Sequence, residues 1–201
     1  MNPWREQPTL AGRHVVLRPV VAEDVVGIVA AAADGKTTEL FYTTASGLKN
    51  PDAYMAALFR DRDAGRVMPF VVTRPSDGAI VGQTRYMRMN EAHKRLEIGG
   101  TFYARSVQRT GVNTEAKQLL LTHAFEVMDC AVVEIRTDWF NRRSQAAIER
   151  LGAKRDGVLR NHQLLDGRHR DLVVYSIIAS EWPGVKRNLA HLLALHDGEG
   201  A

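Results

Sequence analysis

The chain has 201 residues, 45% of them hydrophobic, which suits one domain with a sizeable core and no second folding unit. Its one cysteine, Cys130, excludes an intrachain disulfide, and no Cys/His cluster has zinc spacing, so neither a disulfide scaffold nor a metal centre is expected. The formal charge of +4 arises from interspersed acids and bases, and the densest basic stretches, Arg142-Arg143 and Arg168-His169-Arg170, are short, so no direct nucleic-acid binding is expected.

The N-terminal residues carry charge and proline where a signal peptide needs an apolar run. Nowhere do about 18 apolar residues follow one another, and the expectation is a cytoplasmic protein without a membrane partner. In chain order, a first strand is predicted over 13–18. A helix follows through Val25, Ile28, Val29 and Ala32 and stops at Gly35. Past a loop containing Phe41 and Tyr42, Asn50-Pro51-Asp52 opens a second helix that runs to Gly65. Two strands, 70–73 and 80–89, flank a Pro75-Ser76-Asp77-Gly78 turn. A β-branched and aromatic run beginning at Leu96 predicts the next strand. Val112, Ala116, Leu119, Leu120, Ala124 and Val127 then form an apolar stripe at helical spacing.

Strand 132–138 and a short helix from Asn141 to a stop at Gly152 form a second strand-to-helix unit. Strands 158–165 and 172–178 flank Asp166-Gly167, a strong hairpin turn, and Pro183 precedes a terminal helix with Val185, Leu189, Leu192 and Leu193 on its apolar face. That face packs on the domain or joins a partner subunit. The order βααβββαβαββ plus a C-terminal helix predicts an α/β (α+β) fold, with a mixed, mostly antiparallel sheet flanked by helices. Its core spans about 10–182, and 183–201 supply the last helix and tail.

The turn Gln108-Arg109-Thr110-Gly111-Val112-Asn113 joins the central strand to its helix. A helix start leaves backbone N–H groups unpaired and carries partial positive charge, so a pyrophosphate would be stabilised there. Gly111 permits close approach of the chain. Ala116 and Lys117 stand where a capping box needs Glu or Gln, which leaves donors for a ligand. Against this, Asn113 or Thr114 can cap the helix, and Glu115 puts a negative charge in the first turn. Neither G-x-x-x-x-G-K-[ST] nor G-x-G-x-x-G occurs, which disfavours two common nucleotide sites.

The element order and the Q-x-x-G-x-N turn resemble the GNAT superfamily of acetyl-CoA-dependent N-acetyltransferases, whose turn is Q/R-x-x-G-x-G/A. Asn113 departs at the last position. The runs EIGGTFYARSVQRTGVNTEAKQLLLTHAFE and TDWFNRRSQAAIERLGAKRDGVLRNHQLLDGRHRDLVVYSI look like the RimJ/RimL-type branch, which includes ribosomal-protein N-terminal acetyltransferases. The resemblance implies acetyl-CoA as co-substrate and no metal. It implies that the backbone amides of Arg109, Thr110, Gly111, Val112, Asn113 and Thr114 hold the pyrophosphate, with Gln108 opening the loop. Phe102, Tyr103, Ala104 and Arg105 would run beside the pantetheine and present an N–H to the thioester oxygen, where charge develops during attack. Asn141 matches the family asparagine that reaches the cofactor arm, and it is equally placed to cap its helix.

An amine acceptor is mostly ammonium at neutral pH, so attack on a thioester needs a base. Glu97 precedes Gly99-Gly100 where related enzymes often carry a glutamate; its alternative is a strand carboxylate paired with Arg95 or facing solvent. Many GNAT enzymes protonate the leaving thiolate with a tyrosine, but the matching residue here is Ile148, and Ser144, one turn earlier, is the substitute. Phe41, Tyr42, Tyr86, His162 and Asp171 are candidates to surround the acceptor, although His162 and Asp171 would also serve to tie the last hairpin together. Trp139 reads as a core aromatic, His123 as helix packing and Cys130 as structural. The expected reaction is direct acetyl transfer to a primary amine, either a protein N-terminus or a small molecule. A CoA-binding module with little turnover is the alternative that Ile148 motivates, and a homodimer is open.

Overall fold

The structure, a computed structural model, describes residues 2–198. One eight-stranded sheet runs through it in the order β1-β2-β3-β4-β5-β6-β8-β7. The strands are β1 (Leu10–Ala11), β2 (Val16–Pro19), β3 (Val67–Thr73), β4 (Ile80–Asn90), β5 (Arg95–Tyr103), β6 (Val132–Asp138), β7 (Lys154–Leu165) and β8 (Arg168–Ile178). All neighbours are antiparallel except β5 and β6. The helices are α1 (Val25–Asp34), α2 (Pro51–Asp63), α3 (Val112–Thr122), α4 (Arg142–Leu151) and α5 (Trp182–His196). A π-helical turn, His123–Val127, prolongs α3.

The helix boundaries follow from short-range chemistry. Asn50 caps α2 by accepting the Ala53 N–H at 3.2 Å, with Pro51 in the first turn. Asn141 caps α4 by accepting the Ser144 N–H at 3.1 Å, and Gly152 ends that helix at φ +102°, a left-handed conformation that glycine adopts without penalty. Every residue of β3 is buried, so this strand reads as a continuous apolar run rather than an alternating one.

The sheet opens in its middle. The parallel ladder between β5 and β6 lasts three pairs, Arg95↔Val132, Leu96↔Val133 and Glu97↔Glu134. Beyond them β5 stays on β4 to Tyr103, through an irregular stretch around Gly100 (φ +57°), while β6 stays on β8 to Asp138. The two strands diverge, and the space between them becomes a cleft.

Two sequence expectations are corrected. The first strand, predicted over 13–18, is two short strands joined by a turn whose Arg13, His14 and Val15 amides are occupied by Glu115. β7 begins at Lys154 rather than Val158; it is an edge strand, where charged residues are tolerated on exposed faces. The terminal helix packs on the domain, the first of the two uses open to it: Trp182 stacks on Phe125 at 5.3 Å and donates Nε1–H to Glu126 at 2.7 Å, and Leu189 is fully buried. Of the tail, 199–201 lie outside the described residues.

Candidate active site

The cleft between β5 and β6 has a volume of about 790 Å³, within the range of small-molecule sites. One end is walled by the turn before α3 and by α4, through Arg109, Thr110, Asn113, Arg143, Ser144 and Ile148. The opposite end is walled by Tyr42 to Ala45, by Tyr54 and Asp61 of α2, and by Arg85 of β4.

At the first end, Arg109 adopts φ +64° and turns the chain into α3. The first amide of the helix to close a backbone bond is that of Glu115, to Gly111 at 2.9 Å, so the amides from Arg109 to Thr114 precede the ladder. No side chain caps this helix start; Thr110 Oγ1 accepts the Val112 N–H at 3.3 Å, and Thr114 is fully buried, its hydroxyl accepting from Arg150 at 3.3 Å. Capping by Asn113 or Thr114 is therefore overturned. Glu115 does not oppose an anion at this end either, because its carboxylate turns away and accepts the N–H groups of Arg13, His14 and Val15 at 2.9, 2.5 and 2.8 Å. Gly111 also meets a neighbour unforeseen in the sequence: a Cβ there would lie 2.9 Å from His14 Nε2, so the imidazole would have to shift.

Gln108 spans the cleft mouth. Its amide donates to Tyr103 O at 3.0 Å and its carbonyl accepts from Arg143 of α4 at 2.7 Å. Phe102, Tyr103 and Ala104 complete the strand end, while Arg105 begins a single 3-10 turn anchored by Asp34, which accepts the Ser106 N–H at 3.0 Å. The Tyr103 hydroxyl is buried without a partner, and burial raises its pKa. Asn141 lines the cleft while serving as the α4 cap, so both expected positions hold together.

Glu97 sits where the strands part, 5% exposed. Burial raises its pKa, and Arg136 and Arg88 pull against that rise. Its carboxylate lies 2.9 Å from Arg88 Nε and 3.3 Å from Arg136 Nε, so its partners are these two arginines and not Arg95. Ser144 and Ile148 both face the cleft from α4. The structure adds Lys117, which the sequence reading passed over. Lys117 is 4% exposed, its Nζ donates to Thr101 Oγ1 at 3.0 Å, and burial lowers its pKa to about 7. The signal was a lysine three residues before Leu120, on the apolar face of α3.

Three acceptor candidates, Tyr86, His162 and Asp171, lie outside the cleft lining. Tyr86 is fully buried, donates its hydroxyl to Leu120 O at 2.6 Å, and packs against His123 and Phe70. It belongs to the core. His162 is exposed and does not line the cleft; Asp171 instead accepts the Asn161 N–H at 2.8 Å, tying the hairpin together without His162. Tyr42 lines the cleft, and Phe41 is exposed beside Phe140. Their loop is fixed to β8: Arg168 donates to Phe41 O at 3.2 Å and Arg170 to Tyr42 O at 3.4 Å, while both guanidiniums hold buried Asp138. Trp139 is half-buried against the core, with the Arg142 and Arg155 guanidiniums 4.4 and 5.3 Å from its ring. His123 and Cys130 are packing residues, and burial pushes the Cys130 thiol up to about 12.

A model of the acetyltransferase (GNAT) domain matches residues 14–154. The chain belongs to the GNAT acetyltransferase family and so to the acyltransferases that take acetyl from acetyl-CoA. Bacillus subtilis YdaF, provisionally named a ribosomal N-acetyltransferase, is 33% identical over 110 residues, 55% of this chain and 60% of that protein. A structure from T. thermophilus, provisionally named an acetyltransferase, is 32% identical with TM-score 0.80, over 94% of this chain and 99% of that one. RimJ of Mycobacterium smegmatis, solved with CoA-disulfide, shares the fold at 24% identity and TM-score 0.75, over 94% and 95% of the two chains. These likenesses agree with the RimJ/RimL-like branch read from the sequence. No helix among the described residues is long and apolar enough to cross a membrane, and no group of three or more His, Cys, Asp or Glu among them could hold a metal.

The site fits a CoA thioester by its own chemistry. The turn before α3 offers amides outside any ladder, and the cleft is lined by seven arginines and Lys117 against two carboxylates, Asp61 and Glu97.

Proposed function

We propose that this protein acetylates the α-amine of a protein N-terminus by direct attack on acetyl-CoA in a ternary complex. The observation that carries the reading is the cleft at the parting of β5 and β6, with unladdered amides at one end and a buried carboxylate at its apex. Amides from Arg109 to Thr114 hold the pyrophosphate, with Gln108, Asn141 and the segment Phe102, Tyr103, Ala104 and Arg105 along the arm. Acetyl-CoA supplies an activated acyl group; the chain's residues orient it and handle the protons. Glu97 takes the proton from the attacking ammonium, directly or through water, because a carboxylate with a raised pKa is a better base than an exposed one. Ser144 donates toward the departing sulfur from α4. Tyr42 and Phe41 flank the entering acceptor, on a loop that Arg168 and Arg170 hold in place.

The reading is of one catalytic domain acting in the cytoplasm. Mass detection of products after incubation with acetyl-CoA and a panel of N-terminal peptides and small amines tests it. A mass increase of one acetyl group on peptide α-amines is expected; acetylation of small amines alone would replace the protein acceptor with a small-molecule one. Thermal shift separates a third outcome: acetyl-CoA at 100 times its dissociation constant should stabilise by about 2.7 kcal/mol. That shift without any acceptor turnover would make the chain a binding module.

A further inference from the structure

The acceptor end of the cleft contains a guanidinium without an ion-pair partner at contact distance. Among the described residues, Arg85 has no carboxylate within ion-pair distance, its Nε is buried without a hydrogen-bond partner, and it lines the cleft. Asp61, the acid on that wall, feels the Arg85 charge but is hydrogen-bonded by Arg66, at 2.6 and 3.2 Å. The other arginines on the strand side are answered: Arg88 and Arg136 by Glu97, Arg136 also by Glu134, and Arg170 by Asp138.

The fold makes room for this guanidinium. β4 and β5 lose register between Gln83 and Arg85, and Gly100 sits opposite at φ +57°, where a Cβ would fall 2.2 Å from Arg85 Nε. Two residues along the strand, Gln83 is fully buried; its Oε1 accepts from the Tyr54 hydroxyl at 2.8 Å, while its Nε2 has no partner. Of these groups Arg85 and Tyr54 line the cleft and Gln83 lies behind them, so the Arg85 Nε–H is the donor placed to meet an entering acceptor group, and burying it unmet is costly.

From this geometry we propose that Arg85, backed by Gln83 and Tyr54, reads a carboxylate carried by the acceptor close to its reacting amine. The inference rests on the N-acetyltransferase reading above and specifies its substrate class. A planar guanidinium with free N–H groups matches carboxylate geometry, and a charge-assisted bond there would orient the amine relative to the thioester. The carboxylate has two sources: an Asp or Glu side chain beside a peptide's N-terminus, or the α-carboxylate of a free amino acid.

The test compares matched pairs: peptides differing only by Glu or Gln at the second position, and free amino acids against their α-amides. With wild type, kcat/KM should favour the acid member of one pair type by about tenfold or more, as one charge-assisted bond gives. The pair type that shows the preference identifies the source. Arg85→Met should abolish the preference and leave acetyl-CoA affinity within about twofold. Gln83→Glu, which gives Arg85 an internal counter-charge without shortening any side chain, should do the same and keeps the test alive if Arg85→Met does not fold. Calorimetry of the same pairs against the CoA-loaded protein reads the preference without turnover. A binding preference without catalysis would sink the enzyme reading and leave this one standing. Equal kcat/KM and equal binding for acid and amide, or a preference that survives in both variants, would overturn it.

Discussion

At the scale of single residues, burial sets the chemistry. Glu97 is held among arginines at the point where the strands separate, and its pKa lies above the ordinary carboxylate value because burial outweighs the pull of Arg136 and Arg88. A base must be deprotonated to act, so the rate should fall as pH drops through that raised pKa. We expect Glu97→Gln to slow turnover and to erase the acid limb of the kcat/KM profile, whereas Arg88→Ala, which removes one stabilising charge, should move that limb to higher pH. Lys117 obeys the opposite sign. Its pKa falls from 10.5 to about 7 on folding, so between those values the unfolded chain binds more protons and stability rises with pH. Denaturation followed from pH 7 to 9 should show wild type gaining stability relative to Lys117→Met; parallel curves would show that the amine stays charged. The sequence displayed Lys117 within an apolar stripe, yet a stripe read by its apolar members hides a polar residue on the same face. Tyr86 was misassigned for a related reason: β4 lies in the interior of the sheet, with one face in the core and Arg85, Met87 and Arg88 on the cleft, and strand alternation cannot say which face is which.

At the scale of elements, the turn before α3 was legible because glycine, the absence of a capping box and the strand-to-helix passage occur in one short run. What the sequence could not reveal is the contact made from the other side. Gly111 is packed against His14, and Glu115 is committed to three amides of the β1–β2 turn, so the helix start is braced by the N-terminal segment. These partners lie about a hundred residues away in the chain, beyond any local pattern. Gly111→Ala should therefore lower both stability and acetyl-CoA affinity, and the loss should shrink in a His14→Ala background, as a double-mutant cycle would measure. Additive losses would instead place the steric conflict at the ligand side. Glu115→Ala should cost about 2–4 kcal/mol in denaturant melts, since it strips three backbone donors of a charged acceptor.

At the scale of the whole molecule, the order of strands and helices was readable from periodicity and turn residues, and the resemblance to the family came from that order together with the Q-x-x-G-x-N turn and the two longer matching runs. The tertiary roles of the last helix were not. α5 closes against α3 and α4, with Trp182 between Phe125 and Glu126 and with Asn188 donating to the Arg150 and Leu151 carbonyls at 3.1 and 3.2 Å. It thus supports both walls of the cofactor end from behind. Trp182→Ala should destabilise the fold by about 3–5 kcal/mol while leaving turnover well below the lowered melting temperature unchanged, which scanning calorimetry and a low-temperature assay would check.

Most sheets keep their unpaired peptide edges at the rim, where another chain can latch on and drive aggregation. Here β5 and β6 expose such edges indoors, past Glu97 and Glu134, behind the loop that Arg168 and Arg170 bolt in place. In the proposed function, a ligand arm lying between them would be a plug for that interior seam as well as a reactant. Deuterium uptake at the amides of Ile98 to Tyr103 should slow when the plug is in, and an empty protein heated until the seam gapes should be the one that clumps.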